Sequence, residues 1–240
     1  MSRPAPSAVA PSAVAVLLTG AFILGAAEGG AHTERASRQQ PLAADTVLRI
    51  YLARHGQTDW NLQQRLQGST DIPLNAVGRD QAKALARFMA DIPLAAVYCS
   101  PLQRSRETAE IARGQLPLSP LAELAERRFG SLEGQSTADP AVRRAIDARR
   151  WDPADSLDGG ETLTAFEARV RKAIDVIRGA NPTGNVLVVG HGGTNQMILR
   201  VLLGLSLEQT EKIVQPNDEV FLIELEPGKS PRVWKRFTPD

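Results

Sequence analysis

Two of the three histidines in this 240-residue chain stand in matched surroundings. His55 follows Arg54 at the end of an apolar run, and Gly56-Gln57-Thr58 come next. His191 closes the run Val188-Val189-Gly190 and is followed by Gly192 and Gly193. A neutral imidazole can act as a nucleophile or a hydrogen-bonding partner, and a guanidinium is a permanent cation. A second arginine, Arg104, lies just past another short apolar run, in Ser100-Pro101-Leu102-Gln103-Arg104-Ser105-Arg106. Arg106 is two residues on, about 200° around a helix, so one ligand can meet only one of the pair. Arg104, in the first turn, is the expected one. Glu126 precedes Arg127, Arg128, Phe129 and Gly130. On spacing alone it reads as a surface carboxylate paired with Arg127 or Arg128. Two imidazoles and two guanidiniums that converge would make a pocket for a small, dense anion, and phosphate is the natural occupant.

The elements that must position these residues alternate between strand and helix. Residues 47–53 read as a strand. Residues 75–89 read as a helix with Val77, Leu85, Phe88 and Met89 on one stripe. A short strand follows at 95–99. Pro101, a favoured first-turn residue, is expected to open a helix that runs to about residue 113 and stops at Gly114. Residues 138–150 and 162–178 are expected helices, the second ended by Gly179 and Pro182. The uninterrupted apolar run 185–190 suits a strand buried on both faces of a parallel sheet. A helix at 194–203 and two late strands, expected at an edge, at 219–225 and 232–237 complete the pattern. Together they predict an α/β fold: one three-layer α/β/α sandwich over residues 46–240, its central sheet mostly parallel and flanked by helices. Ligands of such sheets bind beyond the carboxyl ends of the strands, where all the residues above are placed. The helix after His191 would aim its amino end there, and the glycines would let free amides approach an anion.

Composition narrows the partners. Hydrophobic residues make up 42% and charged residues 23%, with 28 basic against 27 acidic side chains and a net charge of +1. That balance argues against a nucleic-acid surface and leaves room for one local cationic pocket. The single cysteine, Cys99, excludes an intrachain disulfide and a cysteine-rich metal site, and its apolar neighbours predict burial. Arg3, the uncharged run 12–27 and the small residues Gly25 and Ala27 outline a secretory signal peptide at 1–27. Residues 28–45, polar and small, read as a linker, and His32 within it receives no role. The expectation is export to a periplasm or the exterior after cleavage, or a membrane anchor without it. The mature chain would carry no stable membrane span and 28 − 1 = 27 basic residues against 27 acidic.

Competing motifs fail. Asn195 stands where a dinucleotide loop beginning at Gly190 needs its third glycine, and Pro231 spoils a P-loop at Gly228-Lys229-Ser230. The segments Arg54–Thr58 with Trp60-Asn61, Ser100-Pro101 with Arg104, Glu126 with Gly130, Gly159-Gly160-Glu161-Thr162 and His191-Gly192-Gly193 resemble the histidine phosphatase superfamily. The likeness is to the branch of cofactor-dependent phosphoglycerate mutases and their small phosphatase relatives, in order from about residue 47 to 225. The resemblance implies that His55 takes the phosphoryl group, that Arg54, Asn61, Arg104 and His191 hold the phosphate, and that Glu126 gives a proton to the leaving oxygen. It implies a small phosphate ester as substrate and neither metal nor other cofactor. Nearby cations should keep His55 neutral by lowering its pKa. A phosphatase is expected, because only 191 − 126 = 65 positions separate Glu126 from His191, where the mutases carry a longer insertion. A 2,3-bisphosphoglycerate-dependent mutase and a non-catalytic phospho-ligand module are the alternatives. Glu161 is expected to serve the dipole of the helix it precedes, and Gln57, Thr58 and Thr194 to be candidate pocket donors. Arg143, Arg144, Arg149 and Arg150 form a solvated face or a rim gripping a second anionic group. Substrate specificity is expected from residues 131–158.

Overall fold

A computed structural model describes residues 46–237 of the chain. The signal peptide expected at 1–27 and the linker expected at 28–45 lie outside the described residues. Six strands form one sheet in the order β3-β2-β4-β1-β5-β6. They are β1 (Leu48–Arg54), β2 (Leu94–Cys99), β3 (Leu118–Pro120), β4 (Gly184–Gly190), β5 (Glu219–Leu225) and β6 (Arg232–Phe237). The first four run parallel, β5 is antiparallel to β1, and β6 is antiparallel to β5. The expected three-layer sandwich is therefore present. Of the two late strands only β6 is an edge; β5 lies between it and β1. The other edge, β3, has three residues with Pro117 before it and Pro120 at its end, too short for an alternation to show.

Side-chain alternation along β1 divides the core. Leu48, Ile50 and Leu52 pack with Phe166, Val170 and Ile174 of α5 (Leu163–Ala180) and with Met197 and Ile198 of α6 (Gly192–Leu203). Tyr51 and Ala53 face the other layer, with Leu85 and Met89 of α2 (Ala76–Met89) and Ala109 and Ala112 of α3 (Gln103–Ala112). Cys99 is buried in that layer, and burial pushes its thiol up to about 11. Three further helices are α1 (Asp59–Leu62), α4 (Pro140–Arg149) and α7 (Leu207–Glu211). No helix among the described residues is long and apolar enough to cross a membrane.

Several helix boundaries differ from expectation for local reasons. Val77 is exposed, because Asn75 caps α2 and turns Gly78, Ala82 and Leu85 inward instead. Pro101 precedes α3 rather than opening it. The cap residue Leu102 has no side-chain acceptor, and Asp71 from another loop accepts from the Gln103 amide at 2.7 Å. Helix α5 runs through Gly179 to Ala180, held by the packing of Ile174 and Ile177.

Candidate active site

Strand register places the two histidines side by side. Arg54 of β1 is opposite Gly190 of β4, so His55 and His191 are the next residues to leave the sheet. The His55 amide extends the ladder by donating to the Gly190 carbonyl at 3.0 Å. The ring centroids end 5.1 Å apart at an angle of 60°. Strand β2, on the far side of β4, delivers Arg104 through the first turn of α3. Arg104 is fully buried, whereas Arg106 is exposed and pairs with Glu110. Arg54, His55, Asn61, Arg104 and Glu126 line one cavity of about 260 Å³, joined by Arg65 and Gln67. A larger cleft, about 660 Å³, lies at the opposite end of the sheet among Leu48, Asn181 and Lys229, away from both histidines. Size alone would favour that cleft, whereas the arginines, His55 and Glu126 gather at the smaller cavity.

Hydrogen bonds fix the state of each ring. The Nδ1 of His55 lies 2.7 Å from the Gly56 carbonyl oxygen. A carbonyl only accepts, so Nδ1 carries the proton and Nε2 keeps its lone pair. The Nδ1 of His191 lies 3.2 Å from Nε of Arg104, which can only donate. The His191 proton is therefore on Nε2, a buried donor without a protein partner. Both pKa values are held well below 6.5. Burial is the larger cause at each ring, followed by Arg54 and Arg104 at His55 and by Arg104, His55 and Arg54 at His191.

The two arginines are clamped by backbone. Arg104 donates to the carbonyls of Gly68 and Thr70, each at 2.8 Å, and burial lowers its pKa to about 10, still protonated near neutrality. Arg54 donates through Nη1 to the Gln215 carbonyl at 2.8 Å, and its buried Nε has no partner. Asn61 has two tasks. Its Oδ1 accepts from the amide and hydroxyl of Thr58, completing the cap of α1, and the residue is also part of the cavity lining.

Glu126 does not pair with the side chain of Arg127 or Arg128. Its carboxylate accepts from the amides of Gly193 at 2.9 Å and Thr194 at 3.0 Å and from the Thr194 hydroxyl at 3.2 Å. The acceptor at the amino end of α6 is thus the Glu126 carboxyl group, and the expected free amides are already engaged. The glycine leaves room for this contact: a Cβ on Gly193 would sit 2.7 Å from Glu126 Oε1, and the carboxyl group would have to shift. Arg127 is occupied elsewhere, on the carbonyls of Arg150, Asp155 and Glu161.

Other expectations need correction. Glu161 is buried and forms a two-point ion pair with Arg169 at 2.7 and 2.9 Å; Thr162, not Glu161, caps α5. Gln57 faces Asn75 and Gln81, and Thr58 and Thr194 serve as cap and Glu126 holder, so none of the three lines the cavity as a free donor. Arg149 is neutralised by Asp155 and Asp158, and Arg150 by Glu211, which removes both from any grip on an anionic group. Arg143 and Arg144 remain exposed, as a solvated face would be.

Residues 50–236 match the family model described as the histidine phosphatase superfamily (branch 1). The chain belongs to the histidine phosphatase superfamily. It is 34% identical over 157 residues to the Bacillus subtilis (strain 168) phosphatase PhoE, itself uncharacterized, covering 65% of this chain and 77% of that one. It is 34% identical over 176 residues to 2,3-bisphosphoglycerate-dependent phosphoglycerate mutase 2 of Gloeobacter violaceus, covering 68% and 80%. Among solved structures, the complex of mycobacterial glucosyl-3-phosphoglycerate phosphatase with VO₃ superposes with a TM-score of 0.67 at 27% identity, over 79% of this chain and 97% of that one.

Within this histidine phosphatase fold, sequence reasoning missed the residues that hold the site from behind. Glu133 is the main one. Its carboxylate accepts from the amides of Ser69, Thr70 and Phe129 at 2.9–3.0 Å and from both hydroxyls of Ser69 and Thr70. It thereby shapes the loop whose carbonyls clamp Arg104. Glu133→Gln would turn an amide toward those donors and loosen the clamp. The expected result is a ten- to hundredfold loss in kcat/KM, roughly what a 1 Å misplacement costs, with helix content unchanged. Steady-state kinetics alongside circular dichroism check it, and unchanged kinetics would remove Glu133 from the positioning of Arg104.

The depressed histidines also set a pH dependence of stability. In the unfolded chain each ring takes its proton near 6.5, and in the fold only well below that. Between those values the unfolded state holds more protons, so stability is full above pH 6.5 and falls as pH drops, by up to about 1.4 kcal/mol per pH unit for each ring. Urea midpoints should fall more steeply between pH 7 and 5.5 in the natural protein than in a His55→Asn, His191→Asn double variant. Equal slopes would mean that the rings are charged in the fold.

Proposed function

We propose that this chain is a phosphomonoesterase that hydrolyses a small phosphate ester through a phosphohistidine on His55. The observation that carries the reading is the fixed tautomer of His55, whose Nε2 lone pair belongs to a neutral ring in a cavity lined by two arginines and a carboxylate. The ester's phosphoryl oxygens meet Arg54, Arg104, the Nε2–H of His191 and the Asn61 amide. His55 Nε2 attacks phosphorus in line. The bond from phosphorus to the alcohol oxygen breaks as the N–P bond forms, and Glu126 gives its proton to the departing oxygen. The Glu126 carboxylate then takes a proton from water, whose oxygen attacks the phosphohistidine. Phosphate leaves, Nε2 regains its lone pair and Glu126 its proton.

Positioning and electrostatics do most of the work in phosphoryl transfer, and here fixed guanidiniums supply the positive charge, so the reading needs no metal. The vanadate held by the mycobacterial phosphatase, an analogue of phosphate, supports an oxyanion as the ligand of this architecture. The 65 positions between Glu126 and His191 support hydrolysis over mutase action, since a cavity without a long insertion admits water. On the same reading residues 1–27 direct export, supported by the uncharged run 12–27.

The test is phosphate release from an aryl phosphate in the presence of a chelator. Steady release supports the proposal. Isomerisation of 3-phosphoglycerate that depends on 2,3-bisphosphoglycerate would replace it with a mutase, and tight phosphate binding without turnover would replace it with a binding module.

A further inference from the structure

An apolar slot of about 80 Å³ adjoins the phosphate cavity. Leu66, Phe129, Gly193 and Gln196 line both spaces, so they share one wall. Beyond that wall the slot is closed by Ile146 of α4, Trp151, Phe166 and Met197. Glu126, which would protonate the leaving oxygen, is held on the amide of Gly193 in the shared wall. In-line attack by His55 sends the alcohol away from that ring, on the side where its proton donor sits. The carbon skeleton attached to the leaving oxygen therefore has the slot within reach.

We propose that the slot is the subsite for the alcohol half of the substrate and that it selects phosphate esters with a small, uncharged apolar body. This rests on the phosphatase reading above and names the substrate class within it. The volume suits roughly three to four carbon-sized groups. It is too small for a nucleoside or a disaccharide. Charge excludes a second class. The slot is lined by Arg127 and Arg150 and by no carboxylate. Guanidiniums already lie over two of its rings, Arg150 at 4.9 Å from Trp151 and Arg169 at 5.0 Å from Phe166. Arg127 spends its donors on backbone carbonyls and keeps its charge, and the faces of Trp151 and Phe166 are already taken by Arg150 and Arg169, so an aminoalcohol phosphate would meet a like charge and no free carboxylate or aromatic face. Two lining residues keep a buried N–H without a hydrogen-bond acceptor, Nε of Arg150, whose guanidinium lies over the Trp151 ring, and Nε1 of Trp151 itself. A single carbonyl or ether oxygen on the apolar body would satisfy the Trp151 donor.

The experiment compares ethyl, 3-methylbutyl and pentyl phosphate, whose leaving alcohols have similar acidity, with glyceryl and 2-aminoethyl phosphate, whose leaving alcohols are more acidic, and with 4-oxopentyl phosphate as the carbonyl twin of the pentyl ester. A buried methylene is worth about fourfold in affinity, so kcat/KM for 3-methylbutyl phosphate should exceed that for ethyl phosphate by about ten- to fiftyfold. Ile146→Phe, which fills the slot, should shrink that ratio at least fivefold. The carbonyl twin should match pentyl phosphate in the natural protein and fall at least fivefold behind it in Trp151→Phe. A flat series, or a preference for the glyceryl or aminoethyl ester, overturns the slot assignment while leaving the phosphatase reading standing. Failure to hydrolyse any ester, the aryl phosphate included, overturns the phosphatase reading and the slot's role with it.

Discussion

His55→Ala is expected to lower turnover by about 10⁴-fold or more and to leave the fold in place. The backbone at this position is tied independently of the ring, by the amide's bond to Gly190 and by Asn217 Nδ2 donating to the His55 carbonyl at 2.6 Å. The ring itself makes one hydrogen bond, to the Gly56 carbonyl. Its loss opens space inside a cavity that is already open to solvent, so the melting temperature should fall by only a few degrees. What disappears is the lone pair. No other neutral nucleophile lines the cavity at the same place, since His191 keeps its Nδ1 lone pair on Arg104. Rapid mixing of the natural enzyme with labelled ester, followed by alkaline quench, should place the label on residue 55, and the variant should carry none. More than a few per cent of residual activity, or consumption of ester with no labelled histidine, would mean that another group attacks phosphorus.

The parts of this site that were legible in the sequence are those in which one residue type is forced by one local structure. The apolar run 185–190 could only be a strand buried on both faces, and it fixed where His191 had to emerge. The 200° separation of Arg104 and Arg106 on a helix put them on different faces, and Arg104 is the one that is buried and lines the cavity. The parts that were not legible depend on partners far along the chain. Glu126 precedes two arginines, and nothing in that stretch reveals that its carboxylate reaches amides 67 and 68 positions away. Glu161 stands at a helix start, where a carboxylate favours the dipole, yet a buried pair with Arg169 dominates; breaking such a pair typically costs about 3–5 kcal/mol. Glu133 and Gln215 act through backbone carbonyls of loops, which have no sequence signature. The family resemblance reached Glu126 because a motif's order carries long-range information that periodicity does not.

Glu126→Gln should separate the two halves of the reaction. The side chain keeps its shape and an acceptor for Thr194, but it can no longer give or take a proton. For an alkyl ester the departing oxygen is a poor leaving group, and loss of its acid should slow turnover by about 10²–10⁴-fold. For an activated aryl ester the leaving oxygen needs little help, so phosphorylation of His55 should survive far better than hydrolysis of the adduct, which still requires a base. Stopped-flow measurement should then show a burst of about one equivalent of phenolate, followed by slow release of phosphate, with label resting on His55. One of the two amides at the start of α6 faces an NH2 instead of an oxygen in this variant, which costs about 1–3 kcal/mol of stability, too little to unfold the protein; thermal melts run beside the kinetics keep a loss of folded protein from passing as a loss of catalysis. Equal slowing of alkyl and aryl esters without a burst would place the proton donor elsewhere and reduce Glu126 to a cap for α6. Unequal slowing with a burst follows only if the carboxylate that Gly193 holds is also the group that the leaving oxygen meets.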